Sequence, residues 1–198
     1  MPLDDIQMML DAYARGYFPM AETRDSIDAF WVDPPMRGII PLDHFNIPRS
    51  LKKFMQNCPY QVTFNKAFAD VIAACAEVPR DREGGTWINP MIERLFNDLH
   101  HAGHAHSVDV WDTNGKLVGG LYGLAQKGCF NGESMFSRQE NASKIALVHL
   151  VDHLKKQGFT LLDTQFINPH LLQFGCIEIP KNDYLDMLRR SLKKDVTF

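Results

Sequence analysis

No apolar run in the 198 residues approaches the ~18–20 needed to span a bilayer. The opening stretch, MPLDDIQMML, is acidic and lacks the basic-then-apolar order of a secretory signal, so a cytoplasmic location and no membrane partner are expected. Cysteine is scarce. Cys58, Cys75, Cys129 and Cys176 stand far apart without a CxxC pair, which argues against a disulfide framework or a cysteine zinc site and leaves isolated buried thiols. A basic excess is missing too: 24 acidic residues against 21 basic give a net charge of −3, unlike a protein that coats nucleic acid non-specifically. A nucleic-acid partner would have to be met by a local patch. There is no repeat, low-complexity tract or long linker.

What is present suits a globular chain. With 45% hydrophobic residues and 23% charged, it can bury a core as one domain with an appendage. Leu3, Ile6, Leu10 and Tyr13 recur at helical spacing, and Gly16 closes that helix. Five prolines between Tyr17 and Pro48 rule out a long helix there and predict loops with short strands. Phe64, Phe68, Val71, Ile72 and Cys75 predict a second amphipathic helix, and a third is predicted from about Asn89 to Ala102. Strand-like runs follow at Ala105–Trp111, Leu117–Leu124 and Cys129–Phe136, the first two joined by a turn at Asn114-Gly115. Asn141 is placed to cap a helix reaching Gln157, with Gly158 as its stop. A strand at Phe159–Asp163, a turn at Asn168-Pro169, a small helix and a closing helix near Asp183–Lys194 complete the pattern. Together these predict a mixed α+β sheet.

Eight histidines invite a metal reading, above all His100, His101, His104 and His106, and the pair His149 and His153. No HExxH-type motif accompanies them, so no metal site is expected.

The densest signature is Gly132-Glu133-Ser134-Met135-Phe136-Ser137 followed by Asn141-Ala142-Ser143-Lys144. Around it lie, in order, Gly16-Tyr17-Phe18-Pro19, Thr86-Trp87-Ile88, Gly103-His104-Ala105-His106-Ser107, Leu117 to Gly123, Asp163-Thr164-Gln165 and Phe174-Gly175. This ordered series resembles the leucyl/phenylalanyl-tRNA–protein transferase family from about Asp4 to Leu188. The resemblance implies a small N-terminal domain (1–36) and a C-terminal catalytic domain (37–198) of the GNAT-like acyl-CoA N-acyltransferase fold. It also implies an activity: Leu or Phe, less readily Met, passes from aminoacyl-tRNA to a protein beginning with Arg or Lys, which marks the product for degradation (the N-degron pathway). The partners implied are charged Leu- and Phe-tRNA and such acceptor proteins, met by a monomer without cofactor.

An aminoacyl ester is already activated, and the acceptor amine has a pKa near ~8, so positioning and oxyanion stabilisation supply most of the catalysis. By resemblance Asp163 and Gln165 are the catalytic pair. Two residues apart on a strand, they are expected to share a face, with Asp163 orienting Gln165 and attracting the ammonium. A glutamine amide is too weakly basic to be a general base, so Gln165 is expected to position the amine. Glu133 is expected to line the pocket for the transferred amino acid and bond its α-amino group. Leu121, Phe130 and Leu150 match the pocket's hydrophobic wall, although periodicity alone reads them as core. Trp87 is a candidate platform for the terminal adenine or the aminoacyl group. For tRNA contact, Arg49, Lys52 and Lys53 are favoured over the basic runs at Arg80/Arg82 and Arg189 to Lys194, which read as solvated faces. Ser143 and Lys144, opening a helix, offer backbone N–H groups to phosphate or to the ester carbonyl.

The chain departs from the family pattern in three places. It starts almost at the first helix, Met20 stands where many members have Trp, and Leu121 and Leu150 replace bulkier Met and Phe. An acyl-CoA-dependent enzyme on the same fold would need a glycine-containing loop leading into the helix, yet no Gly occurs between Gly132 and Gly158. A binding module without catalysis would not need Asp163, Gln165 and Glu133.

Overall fold

The computed structural model describes residues 3–78 and 85–198. Among them a seven-stranded sheet forms around the expected meander. Strands β5 (Ala105–Trp111), β6 (Leu117–Gln126) and β7 (Cys129–Ser137) pair antiparallel in sequence. Beyond β7 lie β8 (Leu161–Gln165), then β3 (Met36–Ile40), then β9 (Ile177–Pro180) at the edge, with β4 (Gln61–Phe64) outside β5 at the other edge. Every pairing is antiparallel except β7 with β8, which touch only over Cys129–Asn131 and Leu161–Asp163. A separate two-stranded sheet joins β1 (Phe18–Met20) to β2 (Phe30–Val32).

Helices cover both faces. On one side α1 (Leu3–Ala14), α3 (Phe68–Ala76) and α4 (Pro90–His101) bury Tyr13, Ile72 and Phe96 against Tyr122 and Leu124 of β6. On the other, α5 (Ala142–Gln157) lays Ile145, Val148 and Val151 on Val108, Val118 and Phe130. Short α2 (Arg49–Met55) and α6 (Pro169–Leu172) border that second core, and α7 (Lys181–Ser191) seats Tyr184 and Leu188 against Ile39, Cys129 and Leu161. The architecture is α+β, as the sequence predicts. No helix among the described residues is long and apolar enough to cross a membrane.

Local chemistry explains where several elements begin and end. Asn89 caps α4 by accepting from the Ile92 amide at 2.8 Å, Pro90 starts the helix, and left-handed Gly158 follows α5. Two expectations are corrected here. Phe64 closes β4 rather than opening a helix, since its backbone pairs with Val108. Asn141 makes no capping bond: its backbone is left-handed, and Ser137 Oγ reaches from β7 to accept the Ser143 amide at 3.2 Å. The short strands expected between Tyr17 and Pro48 are β1, β2 and β3, whereas strand β9 and helix α2 carried no readable sequence pattern. The Arg80/Arg82 run falls outside the described residues.

Candidate active site

Beyond Asn131 and Asp163 the parallel strands part, and a cavity of about 830 Å³ opens between β7, β8 and α5. Two β-bulges face each other across this opening. In β6–β7 the register passes from Tyr122–Ser134 to Gly123–Gly132, so Glu133 is the extra residue. In β3–β8 it passes from Ile39–Asp163 to Gly38–Gln165, so Thr164 is the extra residue. Bulges re-aim side chains next to functional sites. Here they turn Glu133 and Gln165 toward each other.

Gln165 sits in the left-handed region at φ 57°, and the Phe166 amide bonds back to the Thr164 carbonyl at 2.6 Å. Gln165 Nε2 donates to Glu133 Oε1 at 3.2 Å, and the Tyr13 hydroxyl from α1 donates to the same oxygen at 2.8 Å. Among the described residues Glu133 Oε2 carries no hydrogen bond. Burial, opposed by the Tyr13 bond and reinforced by the Asp163 charge, pushes the Glu133 carboxyl up to about 8. Burial likewise raises the Tyr13 phenol, with the adjacent Glu133 adding to it.

Asp163 is fully buried. Arg37 grips it through Nε (2.9 and 3.1 Å to the two oxygens) and Nη2 (2.6 Å), the Tyr184 hydroxyl donates to Oδ2 at 2.8 Å, and the Gln165 amide donates to Oδ1 at 2.8 Å. The expected division of labour between Asp163 and Gln165 therefore changes. Asp163 holds the Gln165 backbone rather than its side chain, and sealed behind Arg37 it offers no face to an incoming ammonium. Burial works against the Arg37 charge, but the Asp163 carboxylate more than offsets it and raises the guanidinium further. Arg37, Tyr184 and Tyr13 were not readable as site residues. Tyr13 stood in a helical apolar stripe, and the only signal for Arg37 is a lone charge leading into the apolar run Gly38-Ile39-Ile40.

The residues expected to line an aminoacyl pocket divide. Leu121, Leu150 and Glu133 line the large cavity together with Leu147, Leu162 and Thr164. Phe130 lines neither cavity: it lies in the core with its ring 5.4 Å from that of Phe198, because it precedes the splay of β7 from β8. Trp87 lines a second cavity of about 230 Å³ together with Phe18, Met20, Phe166 and Gln165, and Glu133, Thr164 and Asn168 line both cavities. The two cavities thus share Glu133, whose carboxylate accepts from Gln165 on the side of the smaller one.

Arg49, Lys52 and Lys53 are exposed on α2, whose preceding loop bonds α6 through Asn46 Nδ2 to the Gln173 carbonyl at 2.8 Å. Ser143 lines the large cavity, but its amide is already taken by Ser137 Oγ, so it is not the open anion site the sequence suggested. Lys144 is half-buried, and its charge joins burial in lowering the pKa of His170, another lining residue. Of the histidines flagged in the sequence, His100 stacks on Phe68 at 4.2 Å, with Nδ1 2.8 Å from the Ala105 carbonyl. No group of three metal-ligating side chains occurs among the described residues.

A family model described as leucyl/phenylalanyl-tRNA protein transferase matches residues 39–189, and one described as that family's N-terminal domain matches residues 4–35. A leucyl/phenylalanyl-tRNA–protein transferase of Rhizorhabdus wittichii is 51% identical over 184 residues, covering 93% of this chain and 73% of that protein. Among solved structures, FemX superposes with a TM-score of 0.53 at 13% identity, over 90% of this chain and 66% of FemX. That likeness concerns the fold alone, and the fold is GNAT-like. On the two family matches and the identity to the curated relative, the chain belongs to the leucyl/phenylalanyl-tRNA–protein transferase family.

Proposed function

We propose that this chain transfers Leu or Phe, and less readily Met, from charged tRNA to the N-terminal Arg or Lys of acceptor proteins, a cytoplasmic reaction that marks them for degradation. The observation that carries the reading is the pair of adjoining cavities that share Glu133, with Gln165 bonded to it from the smaller one. A charged tRNA end, with its aminoacyl group joined to the terminal adenosine, needs two such adjoining sites, with the polar groups for the attacking amine beside them. The large cavity takes the aminoacyl side chain against Leu121 and Leu150, and the smaller one offers the flat face of Trp87 to the terminal adenine.

Glu133 Oε2, without a hydrogen bond among the described residues, accepts the α-ammonium of the transferred amino acid. Arrival of that cation favours the carboxylate over its protonated form. The acceptor amine, in its neutral form, attacks the ester carbonyl carbon and forms the peptide bond. The bond to the 3′-oxygen breaks, and the tRNA hydroxyl leaves with a proton that the amine gives up. Gln165 Oε1, with its Nε2 held by Glu133, accepts an N–H of the attacking amine and orients it. Arg49, Lys52 and Lys53 on α2 supply charge for the tRNA backbone, and Lys144 adds to it at the cavity.

Purified protein supplied with labelled Leu-, Phe- or Met-tRNA and peptides beginning with Arg, Lys, Asp, Glu or Ala tests the reading. Transfer of Leu and Phe to the Arg and Lys peptides is expected. Absence of transfer to every peptide would sink the proposal, and transfer only to Asp or Glu would overturn the acceptor assignment.

A further inference from the structure

Arg37 is 2% exposed and among the largest fully buried side chains in the molecule. Its guanidinium lies between the rings of Phe18 (4.6 Å) and Tyr184 (4.5 Å), Nη1 donates to the Gly16 carbonyl at 2.9 Å, and Nε and Nη2 clasp Asp163, with Nη2 also donating to the Tyr184 hydroxyl at 3.4 Å. It thereby joins the α1–β1 turn, β3, β8 and α7 at one point. A buried ion pair is a poor device for stability, because desolvation consumes most of the attraction. The planar fork does give geometry: it fixes both oxygens of a carboxylate at once, which an ammonium cannot do.

We infer that Arg37 is the positioning residue of this site. It sets the Asp163 carboxylate so that Oδ1 faces the Gln165 amide, and through that bond it holds the left-handed turn that directs the Gln165 side chain to Glu133. Neighbouring Gly38 completes the device, since a Cβ there would lie 2.7 Å from the Phe166 carbonyl carbon just after the turn. Tyr184 braces the same carboxylate from α7. The inference rests on the transfer reaction proposed above and deepens it.

Two readouts on Arg37→Lys, Arg37→Ala and Tyr184→Phe test it. In steady-state transfer, Arg37→Lys is expected to lower kcat at least about tenfold while KM for charged tRNA and for peptide stay within about threefold. Added guanidinium should restore part of the kcat of Arg37→Ala and none of that of Asp163→Asn. In amide hydrogen exchange, the Gln165 amide of Arg37→Lys should exchange at least about tenfold faster while the core amides of Leu121 and Val148 keep their protection. Unchanged kcat and unchanged Gln165 protection would overturn the inference. So would a uniform loss of protection across the sheet, which marks a purely structural role. If the Arg37 variants fail to fold, Tyr184→Phe carries the test: kcat down about threefold with faster Gln165 exchange supports the bracket, and no change in either overturns it. Should the wild type itself transfer nothing, the functional reading falls, and the exchange data alone decide the positioning role.

Discussion

Glu133 holds its proton to about pH 8 in the folded protein, against an ordinary carboxyl value of 4.5. The folded state therefore binds more protons than the unfolded chain between those values, and stability must fall as pH rises across that interval. The contribution is complete below about 4.5 and gone once pH has passed through 8. Denaturant melts of the wild type and of Glu133→Gln from pH 5 to 9 should diverge in the variant's favour up to about pH 8 and run parallel above it. Parallel curves throughout would mean that Glu133 is ionised in the empty site. Gly38 makes a second demand at this scale. A methyl group there would meet the Phe166 carbonyl carbon at 2.7 Å and its oxygen at 2.9 Å, backbone atoms that cannot swing aside. Gly38→Ala should cost about 1–3 kcal/mol in chemical denaturation, as overpacking does, and lower transfer through the displaced turn. The residue scale is also where the sequence was least legible. Asp163, Gln165 and Glu133 could be named from motifs, but the bonds that arrange them come from Tyr13, Arg37 and Tyr184, which no local spacing connects.

Among the elements, α4 was readable because its cap, its first-position proline and its apolar face are all local signals. Asn89 does more than cap: fully buried, it also donates to the Ser26 and Asp28 carbonyls at 2.8 and 3.2 Å. Asn89→Ala should cost about 1–2 kcal/mol from the lost cap alone, measured by urea melts, and loosen the segment before β2. A variant within about 0.3 kcal/mol of wild type would show that water replaces these bonds. The bounds and pairing of β3, and strand β9 altogether, were illegible for a physical reason. Their partners lie more than a hundred residues away in the case of β3, and short strands among prolines show no period of their own. Helix α2, seven residues long, hid for the same want of period, although its charges were noticed. The double variant Lys52→Glu/Lys53→Glu should weaken binding of charged tRNA and reduce the log-affinity against log-salt slope by about 2, leaving the peptide KM in place. Unaltered tRNA affinity would remove α2 from the interface.

At the scale of the whole molecule the meander and the α+β architecture followed from patterning, and the family from ordered motifs. The opening between β7 and β8 did not. It depends on two bulges in different strand pairs, and each is defined only by its partner's register. One consequence of the bracket around Asp163 concerns the order in which the chain is made. Gly16 and Arg37 leave the ribosome long before Asp163, but Tyr184 follows it by 21 residues. At roughly 5–20 residues per second, translation separates the carboxylate from its last support by one to a few seconds. Until α7 emerges, β9 has no helix behind it and Asp163 lacks its hydroxyl brace. The site thus comes into register only after α7 has been made, and a nascent chain interrupted before that helix carries the site's motifs without the site.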